Sequence, residues 1–140
     1  MPSFKLKPSL AQINEQRKNT LIDHLGIQFE EIGDDYIIAT MPVDHRTHQP
    51  IGILHGGASV VLAETLGSFA SSLLLDSPNS YPVGVEINAN HLKSVSKGQV
   101  TGKVTPIRIG KSIHVWNIEI KNEQGELTCI SRLTVMIVNR

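Results

Sequence analysis

The chain has 140 residues, enough for one domain with a real core and too few for two ordinary ones. Its 13 Lys plus Arg balance 13 Asp plus Glu, and the basic residues form no run, which excludes a global field for nucleic acid or an anionic membrane. The single cysteine, Cys129, excludes an internal disulfide and points to a reducing compartment, the cytoplasm.

The stretch from Met1 to Leu10 carries Lys5, Lys7 and two prolines without an apolar centre, so it does not read as a signal peptide. Ser9 to Asn19 has the spacing of a polar amphipathic helix with Leu10, Ile13 and Leu21 turned inward, so residues 1–22 read as a helical extension of a single domain spanning 1–140. Ile27 to Ile32 and Tyr36 to Met41 alternate around Gly33-Asp34-Asp35, a hairpin signal. Pro42 to Leu54 is a long loop. Gly56-Gly57 then opens an apolar segment, Ala58 to Leu75, that stops at Asp76-Ser77-Pro78-Asn79. Glu64, Gly67 and several serines interrupt that segment, so it predicts a buried helix rather than a membrane span.

Beyond it the period changes to two. Tyr81 to Lys93, Gln99 to Ile109, Ile113 to Lys121 and Leu127 to Val138 predict four more strands. The last is apolar on both faces, so cover is expected on both sides. One long helix with six antiparallel strands is an α+β plan in which the sheet curls around the helix. A helix of about 18 residues spans roughly 27 Å, a width that a curved sheet of this size can wrap.

Glu64 is the one ionisable residue in the apolar segment. Burying an unpaired carboxylate costs several kcal/mol, so it needs either a partner, for which Arg132 on a strand is the candidate, or a use. Ser68 one turn on, and Ser71 or Ser72 beyond it, draw a polar seam along the helix. At the helix start His55-Gly56-Gly57 leaves first-turn N–H groups unpaired at the positive end of the dipole, where glycine lets a carbonyl approach. His55 and Gln49 can add side-chain donors. Amide donors facing a developing oxyanion, with a carboxylate that attacks or deprotonates water, suffice for acyl transfer. Gly56 and Glu64 are eight residues apart, about 12 Å along a helix, so one helix cannot bring both to one carbonyl. A site using both must be shared across a two-fold interface.

The stretch Met41 to Thr65, with His55-Gly-Gly and Glu64, resembles the hotdog-fold thioesterases of the phenylacetate-degradation type. It is most similar to the branch with 1,4-dihydroxy-2-naphthoyl-CoA hydrolase and the proofreading thioesterase of enterobactin synthesis. Val83 to Lys93, Ile109-Gly110, Val115-Trp116 and Ser131 to Thr134 extend the likeness, which covers residues 24–138. The resemblance implies a hotdog fold and an acyl-CoA thioesterase acting on an aromatic or bulky acyl group. In it Glu64 is nucleophile or general base and the Gly56 N–H polarises the carbonyl. His55 and Gln49 assist, and Ser68 orients the carboxylate or the water. It further implies that Gly84, His91, Leu92, Lys93 and Ser94, with Arg108, Ile109, Gly110, Lys111, Ser112 and Ile113, hold substrate and the CoA nucleotide. No cofactor is implied, coenzyme A being part of the substrate. An acyl- or aryl-carrier protein is a second substrate form. The expected assembly is a dimer at minimum and a homotetramer in full. The fold also hosts thioester hydratases and dehydratases, and a non-catalytic binding module is a third reading.

His45 and His48 have a metal-like spacing without a third ligand, so no metal is expected. Cys129 and Trp116 read as core residues, and His114 has no readable role.

Overall fold

Period-two patterning yields six strands and the apolar segment one long helix in the computed structural model, which describes residues 3–140. The order is α1 (Leu10–Gln16), α2 (Leu21–His24), β1 (Gln28–Ile32), β2 (Ile37–Pro42), α3 (Gly56–Ser72), β3 (Ser80–His91), β4 (Gln99–Ile109), β5 (Ile113–Lys121) and β6 (Leu127–Asn139). The strands form one antiparallel sheet ordered β1-β2-β4-β5-β6-β3. Helix α3 lies against its concave face, the hotdog arrangement that the sequence predicts.

Helix α3 buries Ala58, Ser59, Leu62, Ala63, Leu66, Gly67, Ala70 and Ser71, one contiguous stripe at helical spacing. Opposite it the sheet presents Trp116, Ile118, Leu133 and Val135, all fully buried. At Gly67 a Cβ would lie 2.5 Å from Leu133 Cδ2, so the missing side chain lets the helix sit close on the strands there. That approach fixes the outward face of the helix, where Glu64 stands.

Several expectations shift. Helix α3 spans Gly56–Ser72 rather than starting at Ala58 and running to Leu75, because His55 caps its start and Leu73, in αR conformation, closes its last turn. Helix α1 is shorter than Ser9 to Asn19: Ser9 and Gln12 form a capping box, and the helix ends at Arg17, ahead of Asn19 at φ 63°. Ile13 is buried as expected, but Leu21 starts α2 and is 57% exposed. In β3 a bulge between Gly84 and Glu86 breaks the alternation and leaves Val85 exposed. In β6 the α3-facing side is buried, whereas Met136 on the other face is 43% exposed: one chain covers one face.

A buried polar chain crosses the core. The Trp116 Nε1–H donates to Ser71 Oγ at 2.8 Å, and Ser71 Oγ lies 2.9 Å from His114 Nδ1. The Ser71 hydroxyl thus bridges the indole and the imidazole, and burial favours the neutral form of His114. Burial lowers the pKa of His114 from the ordinary 6.5, partly offset by the bond to Gly110. Below pH 6.5 the unfolded chain therefore takes up a proton that the folded chain refuses. Stability is expected to be flat in this term above that pH and to fall as pH drops toward the lower folded value. Urea midpoints at neutral and mildly acidic pH should converge for His114→Gln relative to wild type; an unchanged pH slope in the variant would contradict the neutral assignment.

Candidate active site

The loop before α3 is shaped by its own backbone. Gln49 N–H donates to Ile53 O at 2.8 Å, Gly52 N–H to Gln49 O at 2.9 Å, and His55 N–H to Thr47 O at 2.8 Å. Gly52 takes φ 85°, a left-handed turn that glycine accepts without strain. Gln49 Oε1 accepts the Ile51 N–H at 2.5 Å, which leaves the amide NH2 as its unused donor. His55 is the N-cap of α3: its Nδ1 accepts the Gly57 N–H at 2.8 Å. A neutral His55 then carries its proton on Nε2, a donor directed away from the cap. The Gly56 N–H donates to no acceptor among the described residues, as befits the first residue of a helix.

The missing Cβ at Gly56 also leaves room for a neighbouring side chain. A Cβ there would lie 2.8 Å from Nε2 of His91, whose ring packs against it from the end of β3. Gln49, Gly56 and Ser59 share one cavity of about 370 Å³ with His91, Leu92, Lys93 and Ser94. Two of the expected donors, Gln49 and Gly56, therefore meet the His91 to Ser94 part of the expected substrate-binding set, whereas His55 and Gly84 do not line this cavity. Lys93 is already engaged, its Nζ 3.0 Å from Glu126 Oε2. The Asn122 amide, and then this ammonium, hold the Glu126 carboxyl below its ordinary range.

Glu64 lies elsewhere. It is half-buried, and among the described residues it has neither a hydrogen bond nor an ion pair. Arg132, the candidate partner, is exposed among Asn88, Asn117 and Ile130 of the strands, so it does not neutralise Glu64. Glu64 shares a cavity of about 560 Å³ with Val61, Thr65, Ser68, Phe69 and Ser72 of α3 and with residues of α1 and α2. The polar seam is thus Glu64, Ser68 and Ser72, whereas Ser71 faces the core. Gly84 belongs with Glu64 rather than with His91 to Ser94: a Cβ at Gly84 would overlap Glu64 Oε2. The β3 backbone therefore backs the carboxylate.

The third expected group, Ile109 to Ser112, lines a separate cavity of about 650 Å³ at the far end of α3, with Lys5, Asp76 and His114. Arg108 and Ile113 flank it on β4 and β5 and are exposed. One chain thus distributes the predicted residues over three places. Gly56 and Glu64 remain eight residues apart on an uninterrupted helix, about 12 Å. No cluster of metal-binding type exists among the described residues, and His48 Nε2 lies 2.9 Å from Ser96 O.

Comparison with known proteins decides the family. The thioesterase superfamily profile matches residues 51–129, the stretch from the end of the loop through α3, β3, β4 and β5 to the start of β6. The chain belongs to the thioesterase superfamily. The 1,4-dihydroxy-2-naphthoyl-CoA hydrolase of Escherichia coli is 49% identical over 96% of this chain and 98% of its own length. The proofreading thioesterase EntH of Cronobacter turicensis is 47% identical over 96% and 98%. The crystal structure of a thioesterase from Haemophilus influenzae superposes with a TM-score of 0.94 at 50% identity, covering 97% of this chain and 94% of that one. The thioesterase is a thioester hydrolase with the hotdog fold, as the resemblance in its sequence implied.

Two features of this thioesterase escaped the sequence reading. One is the Ser71–His114–Trp116 chain, which ties α3 to the strand following the Gly110 turn. The other is Arg17, which lines the Glu64 cavity. A signal for Arg17 existed: it follows inward-facing Ile13 by one helical turn. No described helix is long and apolar enough to cross a membrane.

Proposed function

We propose that the chain hydrolyses an aromatic or otherwise bulky acyl-CoA to the free acid and CoA, at sites shared between two copies. Glu64 acts from one copy as nucleophile or general base, and the Gly56 N–H of the other receives the charge that develops on the thioester oxygen. The observation that carries this reading is an acid with no partner in its own chain, half-open to a cavity, on the same helix as an unused amide donor about 12 Å away. Glu64 has no structural partner in its own chain, and the Gly56 N–H, free as helix starts leave it, is a donor at hand. Together, across a two-fold axis, they supply a base and an oxyanion donor. His55 Nε2 and the Gln49 amide add donors near the carbonyl, and Ser68 holds the carboxylate or the attacking water.

The acyl group enters the cavity of about 560 Å³ beside Glu64, whose walls include Val61, Phe69 and Ile22. Phosphates and pantetheine follow His91 to Ser94 and the Arg108 to Ile113 segment, where Arg108 and Lys111 make no ion pair within the described chain. A carboxylate and amide donors complete the chemistry without a metal or redox cofactor. The long β3 lies at the sheet edge with Tyr81, Val83 and Val85 exposed, a surface suited to pairing with a second copy in a dimer or a homotetramer. The reducing cytoplasm is the setting that a lone buried cysteine suits.

A thiol-release assay tests the reading across short acyl-CoAs, aroyl-CoAs and the same aroyl groups on a carrier protein. Aroyl-CoAs are expected to lead in kcat/KM; a preference for short acyl chains, or for the carrier-bound form alone, would overturn the substrate assignment. Gly84→Ala provides a second check. Its new methyl displaces the carboxylate end of a flexible side chain rather than the backbone, so the fold should persist. Hydrolysis should fall about tenfold to a hundredfold through kcat, because a misplaced reacting group costs about that much. Full activity in this variant would dissociate Gly84 from the Glu64 carboxylate.

A further inference from the structure

Arg17 carries a charge that two aromatic faces hold but no acid in the described chain neutralises. Its guanidinium stands 4.7 Å from the Phe69 ring centroid and 5.7 Å from that of Phe29. It is half-buried, and burial lowers its pKa. Nearby acids are engaged elsewhere: Glu15 pairs with Lys18 at 2.8 Å, and Asp23 accepts the Asn19 N–H at 3.2 Å. Among the described residues Arg17 makes no ion pair and its side chain donates no hydrogen bond. Stacking on a ring face leaves the edge N–H groups of a guanidinium free to bond in its own plane.

Its position is held from both sides. Arg17 is the C-cap of α1, and α1 is pinned to β1 by Asn14, whose Oδ1 accepts the Phe29 N–H at 3.0 Å. Ile13, fully buried, anchors the turn before it. The guanidinium lines the cavity that contains Glu64 and Ser68. That cavity therefore holds one acid and one base that do not pair with each other, with Phe69 between apolar walls.

From this geometry, and resting on the proposed acyl-CoA hydrolysis, we infer that Arg17 is a specificity residue. It selects acyl groups that carry an accepting oxygen, hydroxyl or carboxylate, away from the thioester. Glu64 takes the reacting end of the acyl group, Phe69 flanks its body, and Arg17 reads its far end. The N-terminal helices α1 and α2 thereby become one wall of the acyl site. A hydrogen bond from a charged donor is stronger than one between neutral groups, so the discrimination expected is about tenfold or more.

The test compares benzoyl-CoA with hydroxybenzoyl- and carboxybenzoyl-CoA, using wild type, Arg17→Met and Arg17→Lys. Wild type is expected to favour the oxygen-bearing substrates. Arg17→Met should lose about tenfold in kcat/KM on them, mainly through KM, and keep its rate on benzoyl-CoA; Arg17→Lys should recover part of the preference. An equal loss on all substrates with a lowered Tm would assign Arg17 to α1 packing and overturn the inference, as would no loss on any. Should wild type release no thiol from any substrate, the proposed hydrolysis fails, and binding of the same thioesters by calorimetry still decides Arg17. Tighter binding of the oxygen-bearing forms that Arg17→Met abolishes upholds its role, and equal binding refutes it.

Discussion

Glu64→Gln is expected to lower thiol release about a thousandfold while leaving the folded structure and its stability nearly unchanged. Glutamine matches glutamate in shape but neither attacks a thioester nor accepts a proton, and such a base contributes about 10²–10⁴-fold. The stability half of the prediction follows from the environment. Glu64 has no ion pair or hydrogen bond in the described chain, so neutralising it strands no partner. With no partner to lose and an isosteric replacement, the change in stability is expected to be within about 0.5 kcal/mol. A structural glutamate would behave in the opposite sense, with stability lost and activity kept. Thiol release under single-turnover conditions, with urea unfolding on the same samples, separates the two. Undiminished hydrolysis in the variant would remove Glu64 from the chemistry.

The parts of this fold that are legible in the sequence are those with a local cause. Alternation marks the strands, and the stop at Asp76 to Asn79 closes the helix region. The seam from Glu64 to Ser68 follows from 3.6-residue spacing, and the choice of Ser72 over Ser71 beyond it comes from the fold. What stays hidden depends on contacts between distant residues. A Cβ at Gly56 would meet His91 and one at Gly84 the Glu64 carboxylate, and neither approach is visible until β3 is registered against α3. The Ser71–His114–Trp116 chain joins Ser71 to residues more than forty positions away; in sequence Ser71 is a candidate for the polar seam, Trp116 reads as core and His114 has no readable role. Lys93 suggests a free phosphate ligand in sequence, yet the β6 end brings Glu126 to it. Bulges in β3 and β4 likewise follow from how strands curve around the helix, not from their own composition.

The sharing of sites between copies has a test with a quantitative outcome. Gly56→Pro removes the N–H donor at the first helical position, where that group has no partner within the chain and proline is well accommodated. His55 already has φ −68° and ψ 130°, a conformation that a following proline favours. The new ring presses on His91, which is exposed at a strand end and able to yield. Gly56→Pro and Glu64→Ala should each be inactive alone. When the two chains are unfolded and refolded together in equal amounts, half of the dimers pair one of each. In those dimers one site draws Glu64 from the first chain and Gly56 from the second and is whole, while the other site has neither. Half of the dimers with half of their sites restored gives about a quarter of wild-type activity. A chain that works alone gives none, since every copy then lacks one of the two groups. Recovery near a quarter therefore requires that the acid and the donor meet across an interface, and its absence in properly mixed dimers returns both to a single chain, where 12 Å of helix keeps them apart.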